Sequence, residues 1–258
     1  MHDDPDDTLT LLAELTGATD ERLRELARAL AGRVVVDVVR TGVPKRSGIG
    51  RLRHRRADHG GELDIDRSLE TIAAARARGE APSLEELTAR DWARPDLALC
   101  LLIDRSGSMG GERLATAAVA AAASLWRAPI DTSVVAFSDD AIVISSQGSG
   151  RDAEEVVNQL FRLRGFGTTD LAFAFRTAAA QLARSSASRR ITVLLSDGRA
   201  TAGDDPVRSA SVLDELVILA PTDDCESAQE LADAVGGRCV TVAGPSAVPD
   251  ALAEALHG

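Results

Sequence analysis

Three short stretches of this chain carry the residue types that could do chemistry. Asp104-Arg-Ser106-Gly-Ser108-Met-Gly-Gly sets a carboxylate and two hydroxyls two residues apart, directly after the apolar run 97–103. Such hard oxygens suit a small divalent cation. Mg²⁺ takes near-octahedral oxygen at about 2.0–2.1 Å and keeps several waters, so a few small side chains leave room for a ligand from outside. Gly165-Phe-Gly-Thr168-Thr169-Asp170-Leu171 is a glycine-bracketed loop opening an apolar helix, and it offers a further hydroxyl. Arg190-Ile-Thr-Val-Leu-Leu-Ser196-Asp197-Gly198 is a second apolar strand that ends on an acid followed by glycine. Taken alone, an Asp-Gly after a strand is an ordinary turn. Taken together, each at a strand or helix end, the three read as one site, because an open parallel sheet gathers its ligands at the carboxyl edge.

The donor types favour binding over catalysis. Neutral hydroxyls leave a cation's charge poorly neutralised, so the ion attracts an incoming carboxylate, whereas a hydrolytic metal needs a positioned base or nucleophile beside it. The histidines are His2, His54, His59 and His257, all outside the three loops, so a Ser-His-Asp reading of Ser106 or Ser108 has no partner. Neither serine lies in a Gly-x-Ser-x-Gly elbow. A nucleophilic Asp104 of the haloacid-dehalogenase kind needs a second Asp two residues on, where this chain has Ser106. Lys45 is the only lysine and no Gly-Lys-Ser/Thr exists, which excludes a P-loop ATPase. No catalytic residue is assigned, and the chain is read as a non-enzyme.

Composition bounds the setting. With 258 residues, 45% of them hydrophobic, the chain can bury one substantial core and a smaller appendage. No apolar run approaches the roughly 20 residues of a membrane span, and the Met-His-Asp-Asp-Pro-Asp-Asp start is unlike a basic, apolar signal peptide, so a cytoplasmic protein is expected. Cys100, Cys225 and Cys239 form no Cys-x-x-Cys pair and read as small core residues. A net charge of −11 argues against nucleic-acid binding. The basic run Lys45–Arg56 is expected to be a solvated loop.

Periodicity then supplies the elements that must position the site. Residues 8–32 carry helical apolar spacing broken at Thr16-Gly17, and 34–39 fit either a helix end or a strand. An Arg-rich loop is expected over about 42–61, then a helix from about Asp66 to Arg78, and Ser83-Leu-Glu-Glu86 has the form of a capping box. The expected organisation is a mainly helical region over 1–90 and an α/β domain over 95–258. In the latter, strands near 97–103, 190–196, 215–219 and 238–242 alternate with helices, and a hairpin over 131–145 adds an edge strand. That alternation predicts a Rossmann-like, doubly wound, mostly parallel sheet.

On the Asp104-x-Ser106-x-Ser108, threonine and Asp197 pattern, the chain resembles the von Willebrand factor A (VWA) family and its metal-ion-dependent adhesion site (MIDAS). The resemblance implies Mg²⁺ or Mn²⁺ at Asp104, Ser106, Ser108, Thr169 and Asp197, with a partner's Asp or Glu completing the shell. Thr169 is preferred over Thr168 because bacterial and intracellular members read Gly-Thr-Asp-Leu here. The stretch Arg53–Leu69, with Gly61-Glu-Leu63-Asp64 and Ser68-Leu69, is similar to bacterial CoxE-type members. These work with AAA+ ATPases of the MoxR type, which implies an adaptor between such an ATPase and a client. A chelatase-type subunit that helps insert metal into a cofactor is the alternative. An extracellular adhesin is disfavoured by the acidic start. Arg105, the variable residue inside the motif, is expected to point to solvent.

Overall fold

In the computed structural model, the described residues are 5–16, 30–32, 34, 35, 39, 51–59, 62–93, 97–107, 111–128, 131–163, 165 and 167–257. They form two units: Met1–Pro44 with Leu97–Gly258, and Lys45–Asp96.

The larger unit is built on a six-stranded sheet. Its strands are β4 (Leu97–Asp104), β5 (Thr132–Phe137), β6 (Ala141–Ser145), β7 (Arg189–Leu195), β8 (Glu215–Pro221) and β9 (Arg238–Val242), in the order β6-β5-β4-β7-β8-β9. All neighbours are parallel except the β5–β6 hairpin, which places β6 antiparallel at one edge. Strand β4 lies inside the sheet, so both its faces are covered and its sequence is continuously apolar. Because side chains alternate along a strand, Leu99, Leu101 and Ile103 enter one core and Ala98, Cys100 and Leu102 the other.

Helices α3 (Gly111–Arg127), α4 (Ala153–Leu160) and α8 (Val248–His257) line the first core. Helices α5 (Leu171–Leu182), α6 (Pro206–Ala210) and α7 (Glu226–Val235) line the second. This is the doubly wound architecture that the sequence alternation predicts. The Ala-rich α3 buries eleven residues, from Leu114 to Leu125. Glu112 in its first turn and Arg127 in its last complement the helix dipole.

Helix α1 (Pro5–Leu15) belongs to this unit: Leu9 and Ala13 are buried in the first core. Its Asp6 accepts the backbone N–H of Ser246 at 2.7 Å, just before α8. Its Glu14 lies against Gly111, the first residue of α3. The expected boundary near residue 90 therefore differs from the observed division, because the apolar stripe of α1 is satisfied by the core of the sheet unit. Residues 34, 35 and 39 are helical, and Val35 and Val39 are buried in the same core.

The smaller unit holds a three-stranded antiparallel sheet in the order β1-β3-β2, formed by β1 (Arg51–Arg56), β2 (Glu62–Leu63) and β3 (Thr88–Ala93). Helix α2 (Ile65–Ala77) is N-capped by Asp64, which accepts from the Arg67 N–H at 3.1 Å. The Ser68 hydroxyl ties α2 to β3 by accepting from the Thr88 N–H at 3.0 Å and donating to the Thr88 carbonyl at 3.2 Å.

Two expectations are corrected here. The described part of the arginine run is an edge strand, a position where charged side chains discourage pairing with other chains; the rest of the expected loop, 42–50 and 60–61, lies outside the described residues. Ser83–Glu86 forms a turn, in which the Glu85 N–H donates to Ser83 Oγ at 3.3 Å, and starts no helix, because the chain enters β3 at Thr88.

Candidate metal-binding site

The end of β4 fixes the first donors. The Arg105 N–H donates to the Phe137 carbonyl at 2.8 Å, so the chain leaves the sheet only after Asp104 has been positioned between β5 and β7. Both carboxylate oxygens of Asp104 are held. Oδ1 accepts the Ser106 N–H at 2.8 Å and Oδ2 accepts the Ser196 hydroxyl at 2.8 Å. Gly107 then turns the chain at φ +69°, where a side chain would be strained.

The second loop meets the first through its hydroxyl. Thr169 is buried and its Oγ1 donates to Ser106 Oγ at 2.6 Å, whereas Thr168 is exposed. The loop after β7 holds Thr169 from behind. Thr201 Oγ1 accepts the Thr169 N–H at 2.8 Å, and the Thr169 carbonyl accepts from the N–H groups of Thr201 and Ala202 at 3.0 and 3.2 Å. Asp170 caps α5 by accepting the Phe173 N–H at 2.8 Å. Gly203 packs on that cap: at φ +86°, an added Cβ would lie 2.2 Å from the Asp170 carboxyl carbon.

The third stretch brings Asp197, half-buried at the end of β7, with Oδ1 accepting the Arg199 N–H at 3.0 Å. Gly198 has φ +83° and meets the backbone of Ala228 so closely that a Cβ would sit 2.5 Å from its Cα, which seats the loop against α7. Burial pushes the Asp104 carboxyl above its ordinary value. Hydrogen bonds from Ser106 and Ser196 oppose that shift, and the Asp197 charge adds to it. Two acids held close in a partly buried site are relieved by a cation.

The structure thus gathers Asp104, Ser106, Thr169 and Asp197 at one edge of the sheet. Ser108 lies outside the described residues. The donor set fits a hard cation: adjacent corners of an octahedron with bonds of about 2.0–2.1 Å are about 2.9 Å apart. The Ser106 and Thr169 oxygens, at 2.6 Å, need open by only a few tenths of an ångström. Among the described residues, no group of three His, Cys, Asp or Glu side chains is placed to hold a metal.

Sequence reasoning missed two contributors. Ser196 bonds Asp104 from 92 residues away, and its only signal is its place beside Asp197. Thr201 has no local signal at all. Arg105 is a correction: it is 1% exposed and its guanidinium pairs with Asp140 in the β5–β6 turn. A buried arginine needs an acid, and the hairpin supplies one that local sequence does not show.

The sequence profile described as "VWA domain containing CoxE-like protein" matches residues 15–236. The chain belongs to that family. Among curated proteins none matches it. Three solved structures are similar to this VWA chain. An aerotolerance-related membrane protein from Bacteroides fragilis has a TM-score of 0.50 at 16% identity, covering 62% of this chain and 98% of that one. The D319A mutant of the PilB minor pilin from Streptococcus sanguinis has a TM-score of 0.51 at 13% identity, covering 65% and 63%. A von Willebrand factor type A protein from Catenulispora acidiphila has a TM-score of 0.49 at 17% identity, covering 65% and 43%. At these identities the first two likenesses speak for the fold alone. VWA domains are generally interaction modules rather than catalysts, and commonly bind a metal ion at the MIDAS.

Proposed function

We propose that this chain is a non-enzymatic, metal-dependent protein-binding module. In this reading Ser106, Ser108 and Thr169 hold Mg²⁺ or Mn²⁺, Asp104 and Asp197 orient it, and an Asp or Glu of a partner completes the shell. The observation that carries the reading is the 2.6 Å meeting of the Thr169 and Ser106 hydroxyls beside Asp104, whose carboxylate both Ser106 and Ser196 restrain. The bound ion supplies a partly unneutralised positive charge, and the side chains supply its position. In this reading the partner is a MoxR-type AAA+ ATPase, a client protein is the second, and the place is the cytoplasm; CoxE-like membership supports the choice. Among the described residues no helix is long and apolar enough to cross a membrane.

The test is capture from a lysate by the wild type and by Asp104→Ala with Ser106→Ala, in Mg²⁺ and in EDTA, with mass spectrometry of what is retained. An AAA+ ATPase held by the wild type in Mg²⁺, and lost both in EDTA and in the folded variant, supports the reading. The same proteins held under every condition sink it.

A further inference from the structure

The geometry points to Arg105 as a positioning residue of the metal site, acting through Asp140. This rests on the metal-binding reading above. Arg105 is among the largest fully buried side chains of the protein, although it sits between two residues whose side chains line the site. Burying a guanidinium is costly unless it is paired. The pair is with Asp140 Oδ1, whose side chain is 59% exposed, so the arginine reaches from under the metal loop out to the β5–β6 turn.

That turn is tied to the threonine loop. Ser138 Oγ lies 3.1 Å from Asp140 Oδ1 and 3.0 Å from Asp139 Oδ1, and the Ser138 N–H donates to the Asp140 carbonyl at 2.8 Å. The Ser138 carbonyl accepts the Asp170 N–H at 2.9 Å, next to Thr169. Gly167 packs on the same turn: at φ +88°, a Cβ there would lie 2.8 Å from Asp139 Oδ1. Thr169 then closes the circuit by donating to Ser106, the neighbour of Arg105.

The ring runs from Arg105 through Asp140, Ser138, Asp170 and Thr169 to Ser106. Its effect is to fix two hydroxyls from distant parts of the chain near the spacing a cation requires. Neither Arg105 nor Asp140 offers an oxygen to that ion; they hold the oxygens that do. Side chains bonded directly to metal ligands typically govern affinity by about 10–100-fold, and Arg105 and Asp140, one link further out, act at the lower end of that range. Lysine at 105 would keep the charge but not the guanidinium N–H that reaches Asp140.

The experiment titrates Mn²⁺ into the full chain, wild type, Arg105→Lys, Asp140→Asn and Asp140→Glu, and follows both affinity and the electron paramagnetic resonance spectrum of bound Mn²⁺. Circular dichroism and Tm in EDTA verify the fold, and Asp140→Glu, which keeps a charge for the buried Arg105, is the variant read if Asp140→Asn does not fold. The expected result is tight binding by wild type, affinity about tenfold weaker in Asp140→Asn with a broadened Mn²⁺ spectrum, and partial rescue by Asp140→Glu, which restores the charge. Wild-type affinity and an unchanged spectrum in Asp140→Asn overturn the positioning role and leave the metal site standing. Absence of Mn²⁺ binding by the wild type overturns the metal reading, and the positioning role with it.

Discussion

At the amino edge of the six-stranded sheet, acids meet bases. Arg189 forks onto Glu215 at 2.6 and 2.7 Å and donates to the Leu256 carbonyl at the end of α8. Arg238 approaches Glu215 at 3.6 Å, and Arg190 meets Asp214 at 2.6 Å. At the carboxyl edge, among the described residues, Asp104 and Asp197 form no ion pair; Asp104 takes its hydrogen bonds from a backbone N–H and a serine, and Asp197 takes one from a backbone N–H. Other acids of the carboxyl edge are paired as well, Asp140 with Arg105 and Asp224 with Arg199, whereas Asp104 and Asp197 keep neutral donors. Charge balanced within the protein serves the fold; charge left over is available to a ligand.

That contrast breaks most directly at Asp104. Asp104→Ala is expected to weaken Mn²⁺ binding by about a hundredfold, the upper end for a group that orients the ligands, because it removes a negative charge as well as the hold on Ser106. It should also remove most of the metal-dependent stabilisation, about 2.7 kcal/mol at a hundredfold excess over Kd, read as the difference in Tm with Mg²⁺ and with EDTA. Equal Tm gains in variant and wild type would break the comparison. Next in size, Thr169→Ala is expected to cost roughly 10–100-fold in Mn²⁺ affinity by calorimetric titration while Thr168→Ala costs nothing, and the reverse order would reassign the donor.

Glu215→Ala tests the other edge. Because Glu215 and Arg189 are both about one-third exposed, its loss should cost about 1–2 kcal/mol in denaturant unfolding and leave Mn²⁺ affinity unchanged. A shift in metal affinity would show that the two edges are coupled. The smallest effect is on pH. The folded carboxyl of Asp104 titrates above its ordinary 3.8, so the metal-free folded state holds that proton more tightly than the unfolded chain does. The Asp104 contribution to metal-free stability is therefore present below 3.8 and falls as pH rises through the folded value. Asp104→Asn should remove this downward component from unfolding curves, and Mg²⁺ should offset it in the wild type.

Much of this edge was legible because its signals are local. Strands β4 and β7 are apolar runs that end on Asp104 and on Ser196-Asp197, and glycines mark the turns that follow. The β5–β6 hairpin showed in two apolar runs joined at Ser138-Asp139-Asp140. What stayed hidden depends on pairing over distance. Arg105 reads as a surface residue until sheet order brings Asp140, 35 residues on, beside it. The arginines of β1 look like loop because their partner strand begins at Thr88 and no alternation of apolar side chains announces an edge strand. Helix α1 carries an amphipathic pattern that says it must be covered, and nothing in that pattern says by what.

The bond from Asp6 to Ser246 spans 240 residues. At a synthesis rate of about 5–20 residues per second, α1 leaves the ribosome roughly 12–48 s before the loop that anchors it. Because α1 packs chiefly on α3, synthesis supplies its main cover in the first half of the chain, and only the Asp6 tie waits for the end.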